Sequence, residues 1–190
     1  MRKQLILGLS LILLGACGGG SGPEHDKMMA EHKAMLSADS AQQAMRAARE
    51  EGIRAIFTMF ESGNSDGIEQ YVDANVVEHT PPPGMEGNGI DYMKQMVAMQ
   101  HAGFPDAKMS VISIAHNDDM MMVHYNMKGT NTGDMGPEMK ATGKAMDVNG
   151  VDIIKFNSDN KATDHWGYWE ESKMMQQLGM MPGPEAAAKK

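Results

Sequence analysis

The carboxylate of Asp164, in Lys161-Ala-Thr-Asp-His-Trp166, is the group whose neighbours best suit it to move a proton. If this run is a strand, side chains two apart share a face, so Asp164 lies with Ala162, Trp166 and Tyr168. Thr163, His165, Gly167 and Trp169 then point the other way. If the Asp164 face lines an internal pocket, the Trp166 indole would exclude water from the carboxylate and raise its pKa toward the range useful for acid/base chemistry at neutral pH. The same spacing also describes an exposed strand carboxylate next to a core tryptophan. His79, in Glu78-His-Thr-Pro81, reads as a turn residue or a ligand contact. His124, in Met122-Val-His-Tyr125, shares a face with Met120, Met122 and Asn126, either as a pocket donor or as a half-buried strand histidine. Zinc is not expected at His79, His116, His124 and His165, because no two stand at i, i+2 or i, i+4 and no cysteine accompanies them. Phosphate loops, nucleophile elbows and dinucleotide fingerprints are missing too.

The elements that must hold these groups change character along the chain. Ser40-Ala-Gln-Gln43 matches a capping box, and Ile53, Ile56, Phe57 and Phe60 follow at helical spacing until Gly63-Asn64. A helical turn around 66–74 leads into Val76-Val-Glu-His79, and a second helix spans about 90–101, with Tyr92, Met93, Met96 and Val97 on one stripe. Past Pro105 the period becomes two. Met109, Val111, Ser113 and Ala115 alternate with Ser110, Ile112, Ile114 and His116, and Asn117-Asp118 turns the chain into a strand from Met120 to Lys128. Further strands are expected at 138–148, 150–157 and 161–170, then a short helix at 171–178. Helices first and an antiparallel sheet afterwards predict an α+β fold, with the helices against one face of the sheet.

The N-terminus speaks to compartment. Arg2 and Lys3 precede an apolar run from Leu5 to Leu14, which reads as a secretory signal, and Leu14-Gly-Ala-Cys17 resembles a bacterial lipoprotein box. Residues 1–17 are therefore read as signal and lipobox, 18–38 as tether and charged arm, 39–180 as one domain and 181–190 as a disordered tail. Cys17, the only cysteine, would carry the lipid that attaches the protein to a membrane of the cell envelope, with the outer membrane or periplasmic face favoured over the cytoplasm. The formal charge of −8 becomes −10 once Arg2 and Lys3 are removed (15 minus 25), and an acidic chain without a basic run is a poor partner for nucleic acid. Within the arm, His25 and His32 stand among Met28, Met29 and Met35. Such a group is either a copper ligand set, since imidazole and thioether suit that metal, or a solvated helix using Met as an apolar residue.

Several short runs occur in a telling order: Phe104-Pro-Asp106, a strand pair turning at Asn117-Asp-Asp119, Gly129-Thr-Asn-Thr-Gly133, Thr142-Gly-Lys144, and the paired strands Gly150 to Phe156 and Lys161 to Trp166 around Ser158-Asp-Asn160. Together they resemble the SnoaL-like polyketide cyclase family, often labelled ester cyclases, over roughly residues 50 to 180. The resemblance implies a curved sheet closed by helices into a cone with an internal pocket, a fold shared with ketosteroid isomerases. It also implies ring closure by intramolecular aldol condensation, with an aspartate of the last strand as acid/base and neither metal nor cofactor. Asp164 best matches that aspartate, His79 the residue ending the first strand at the pocket mouth, and His124 a position often basic in relatives. Asn131 stands where the family pattern has His. A small, largely apolar ligand, contacted by His79, His124, Asn126, Trp166 and Tyr168, is the expected partner, along with a second copy of the chain in a homodimer or larger oligomer. The alternative is a ligand-binding or assembly module that keeps the fold without the chemistry.

Overall fold

The computed structural model describes residues 22–82, 85, 87–136 and 139–181. Cys17, the signal run and the tail from Pro182 lie outside the described residues. The chain divides into two compact units between Ala41 and Gln42.

Helix α1 runs unbroken over Pro23–Ser62, so Ser40 does not begin a helix. The residues before it, including Met35, Leu36 and Ala38, are good helix formers, and a cap needs a non-helical backbone that they do not supply. Pro23 opens α1, where a missing amide hydrogen costs nothing. Gly63, at φ 72, closes it with its amide bonded to the Met59 carbonyl. Among the described residues no helix is long and apolar enough to cross a membrane.

A 3-10 turn at Ile68–Gln70 buries Ile68 and leads into β1 (Val72–Glu78). Then come α2 (Ile90–Gly103), β2 (Lys108–His116), β3 (Met120–Thr130), β4 (Ala145–Phe156), β5 (Ala162–Trp169) and α3 (Glu171–Gln177). The five strands form one sheet in the order β1-β5-β4-β3-β2. This is the expected α+β architecture with one refinement, since β1 joins β5 in parallel while every other pair is antiparallel. The strands expected at 138–148 and 150–157 are a single strand. Asn149-Gly150 resembles a turn dipeptide, yet β3 pairs straight through it. The glycine is needed for a different reason: a Cβ there would come within 2.5 Å of the Tyr125 ring and hydroxyl.

One face of the sheet is the core face. Met146, Val148, Ile154 and Phe156 of β4 join Met121, Val123, Tyr125 and Met127 of β3, and Ile53 and Phe57 of α1 pack on them. A bulge in β2 after Val111 shifts the phase, so Met109, Val111 and Ile114 pack inward and Ile112 is exposed. Three of the family-like runs are stapled to one another. Asp106 accepts bonds from the Thr130 amide and hydroxyl, at 2.7 and 2.8 Å. Asn131, fully buried, donates to the Gly103 and Gly133 carbonyls and accepts from the amide and hydroxyl of Thr142. Arg49 ties α1 to two hairpin turns, bonding Asn160 Oδ1 and the Asp118 carbonyl, each at 3.0 Å, with its guanidinium 4.6 Å above Phe156.

Candidate active site

Between the core face and the helices lies a cavity of about 760 Å³. Thirteen of the chain's 22 methionines line it, among them Met93 and Met96 of α2, Met121 and Met127 of β3 and Met146 of β4. With Ile53, Phe57, Val148 and Phe156 beside them, most of the wall is apolar. Its size and character suit a small organic ligand.

Against this wall Asp152, His165 and Tyr125 form a polar corner. Pairing between β4 and β5 sets Asp152 opposite Gly167 and Ile154 opposite His165, which places these side chains on the core face. β1 brings Glu78 alongside His165. His165 Nδ1 lies 2.5 Å from Glu78 Oε2, and its Nε2 lies 3.5 Å from Asp152 Oδ1. Glu78 accepts on its other oxygen from the Thr80 amide and hydroxyl, at 2.9 and 3.0 Å. Thr80 Oγ1 in turn accepts from the Gly167 amide at 2.7 Å. The Tyr125 hydroxyl bonds Asp152, and its ring meets Phe57 edge-on, with centroids 5.2 Å apart.

Charge in this corner follows from its contacts. Burial works against a charged His165, but hydrogen bonds and attraction from Asp152 and Glu78 outweigh it and push the imidazole up to about 10. Burial would raise Glu78, yet the bonds from His165 and Thr80 hold it below the usual carboxylate range. Burial, reinforced by Asp152, drives the Tyr125 phenol far above its ordinary value. At neutral pH the corner thus holds an imidazolium against the ionised Glu78, with Asp152 and a protonated phenol beside them. Glu78 sits behind the imidazole, whereas Asp152 faces the cavity. A carboxylate flanked by two hydrogen-bond donors can take a proton from carbon while the donors hold the oxygen of the resulting enolate.

The expected site residues lie elsewhere. Thr163 is an extra residue in β5, between the pairs Lys155↔Asp164 and Phe156↔Ala162, so Ala162 faces the cavity and Asp164 does not. The expectation that Asp164, Trp166 and Tyr168 line the cone is reversed. The cavity side of β5 carries His165, Gly167 and Trp169. Nor is the Asp164 pKa raised: the hydrogen bond from His79 at 2.9 Å, with help from Thr163, holds it below the ordinary range. On this outer face the structure does bring His79, Asp164 and Trp166 together, and the His79 ring stacks on the indole at 4.1 Å. His124 and Tyr168 stand on that face across Val151, and Asn126 bonds Asp147 and Asn149. None of these six residues lines the cavity.

Asp152, His165, Tyr125 and Glu78 escaped the sequence reading of the site. The alternation of β4 carried a usable signal, because Met146, Val148, Ile154 and Phe156 mark the inner face and Asp152 falls in phase with them. Counting pairs outward from the turn at 157–161 misleads for β5, because without the extra residue Thr163 it would set Asp164, not His165, opposite Ile154. Nothing local marks Glu78 or Tyr125.

Comparison with known proteins agrees with this architecture. TsrD from Streptomyces laurentii superposes with a TM-score of 0.64 at 17% identity, covering 72% of this chain and 98% of its own. AclR from Streptomyces galilaeus gives 0.59 at 21% identity, covering 75% and 91%. IdmH from Streptomyces antibioticus gives 0.57 at 18%, covering 69% and 98%. At these identities the likeness establishes the fold alone. A search of curated proteins finds no match. The model of the SnoaL-like polyketide cyclase family matches residues 50–178, which takes in every strand, the polar corner and all of the cavity wall but Ala48, Arg49 and Met180, and the chain belongs to that family.

Proposed function

We propose that the domain binds a small, largely apolar carbonyl compound in the Met-lined cavity and moves a proton at the carbon next to the carbonyl. Asp152 is the acid/base group, and His165 and Tyr125 steady the enolate oxygen. An enolate so held is the nucleophile of an intramolecular aldol ring closure, the chemistry the family suggests, and the same step run without ring closure is an isomerisation. The observation that carries this reading is Asp152 facing an apolar cavity beside a protonated His165. Solvent exchange tests it. With a panel of ketones and esters in D2O, the protein should speed deuterium uptake at the α-carbon, followed by NMR. Binding of these compounds without exchange above buffer would favour the alternative, a non-catalytic binding or assembly module. One observation speaks for that alternative: the aspartate that best matches the family's acid/base residue, Asp164, is turned away from the cavity.

Attachment to the cell envelope through lipid on Cys17 and self-association are further parts of this proposal. The signal-like run and lipobox support the first. Support for the second comes from the outer sheet face, where Val77, Ile112, Met122 and Tyr168 are exposed. One preparation tests both. Wild type should partition with membranes and Cys17→Ser should not, and light scattering of the released Cys17→Ser chain should give a dimer or larger mass. Wild type recovered soluble and unmodified would refute the anchor, and a monomer at high concentration would refute the oligomer.

A further inference from the structure

The arm of α1 carries side chains that the cavity chemistry does not use. His25, Met28, Met29, His32 and Met35 all lie within the helix, and residues 22–41 are exposed throughout. Methionine elsewhere in the chain serves mainly as wall, with thirteen around the cavity. Here it does not pack in that way, since Met28, Met29 and Met35 are 59%, 53% and 68% exposed. Reading the arm as a helix that uses Met as an apolar residue therefore leaves three thioethers in water without a packing role.

The helix supplies the geometry. At 3.6 residues per turn the five side chains fall within an arc of about 120°. Met28 and His32 are an i, i+4 pair and His32 and Met35 an i, i+3 pair, so their Cβ atoms lie roughly 5–6 Å apart. One ion above the helix surface can thus meet the His32 imidazole with a thioether from one turn on either side. His25 and Met29 repeat the i, i+4 pairing beside it. Lys33 borders the stripe beside Met29, and Lys27, farther round the helix, is drawn toward Glu31 at 3.9 Å.

The ligand types select the ion. Thioether sulfur is neutral and soft, and imidazole is compatible with copper. Structural zinc asks for four ligands rich in thiolate, and calcium or magnesium for oxygen. A single helix presents ligands from one side only, which suits a soft monovalent ion content with two or three of them. Among the described residues no cluster of three or more His, Cys, Asp or Glu is arranged for a metal, so a site here must draw on methionine. We infer that the arm is a soft-metal site, with His32 flanked by Met28 and Met35 taking Cu(I) or its analogue Ag(I).

The test uses the full chain carrying Cys17→Ser, so that no thiolate competes, with methyl-labelled methionine. Titration with Ag(I) should first shift the Met28 and Met35 methyl signals and the His32 ring, while Met121 and Met146 of the cavity stay still. Met28→Leu, His32→Ala and Met35→Leu combined should weaken Cu(I) binding at least tenfold in anaerobic competition with a chromogenic chelator. Leu and Ala are strong helix formers, so unchanged circular dichroism is expected for that variant. Shifts confined to the cavity methionines, or triple-variant affinity within twofold of wild type, would overturn the site.

Discussion

Asp152→Asn should bind carbonyl ligands as wild type does and lose about 10²–10⁴-fold in α-proton exchange, the range typical of a positioned acid/base group. The amide has nearly the shape of the carboxylate and can still accept from Tyr125 and His165, so fold and binding are retained. What it cannot do is hold the proton. Because the lost interaction belongs to the proton-transfer step, the effect should appear in kcat with KM little changed. Asp164→Asn is the matched control. Its carboxylate bonds His79 and Thr163 on the outer face of the sheet, away from the cavity, so exchange should stay near the wild-type rate. The two variants separate the register-based assignment from the family-based one. A large loss in Asp164→Asn with none in Asp152→Asn would return the role to Asp164 and make the cavity corner structural.

The second large effect is on stability. His165→Leu leaves Glu78 and Asp152 buried at 5% and 11% side-chain exposure with no cation between them. Removing one partner of a buried charged cluster typically costs about 3–5 kcal/mol, and urea unfolding at neutral pH should show a loss of that order. The pH profiles should then diverge. In wild type the His165 pKa is raised from 6.5 to about 10, so its stabilisation is complete below 6.5 and fades as pH climbs through 10. Glu78 is held below its ordinary 4.5, so its share is present above that value and fades as pH falls. Wild type is accordingly expected to be steadiest between about 4.5 and 6.5 and to weaken on the alkaline side. Without the imidazolium, burial instead favours a protonated carboxyl, and the variant should gain stability as the solution is acidified from neutral. A variant losing under about 1 kcal/mol, with a profile parallel to wild type, would show that the clamp contributes little.

Much of the architecture was readable from local pattern. The change from helical period to alternation after Pro105, and the ordered family-like runs, led to the right fold class and to the paired strands β4 and β5. The polar corner was harder because it depends on phase. A single extra residue, Thr163, puts Ala162 and Asp164 on opposite faces although they are two apart, and the bulge after Val111 does the same to Ile112 and Ile114. Aromatic residues on both faces of β5 then leave the inward side undecided by composition. Glu78 reaches His165 only because β1 lies parallel to β5, a contact 87 residues apart that no local signal announces. Ser40 misled for the opposite reason, as a sound local cap overruled by strong helix formers before it.

The cavity wall bears on how selective the protein can be. Methionine is unbranched, turns about three bonds and presents polarizable sulfur, so thirteen of them make a lining that moulds itself to its occupant rather than imposing an outline. Branched walls reject a guest by shape. This one gives way, and guests of quite different contour should be ranked mainly by how much oily surface they bring. On the proposed function, discrimination then falls to the corner where Asp152, His165 and Tyr125 would ask for a carbonyl in the right place, which would leave the protein tolerant in size and strict in chemistry.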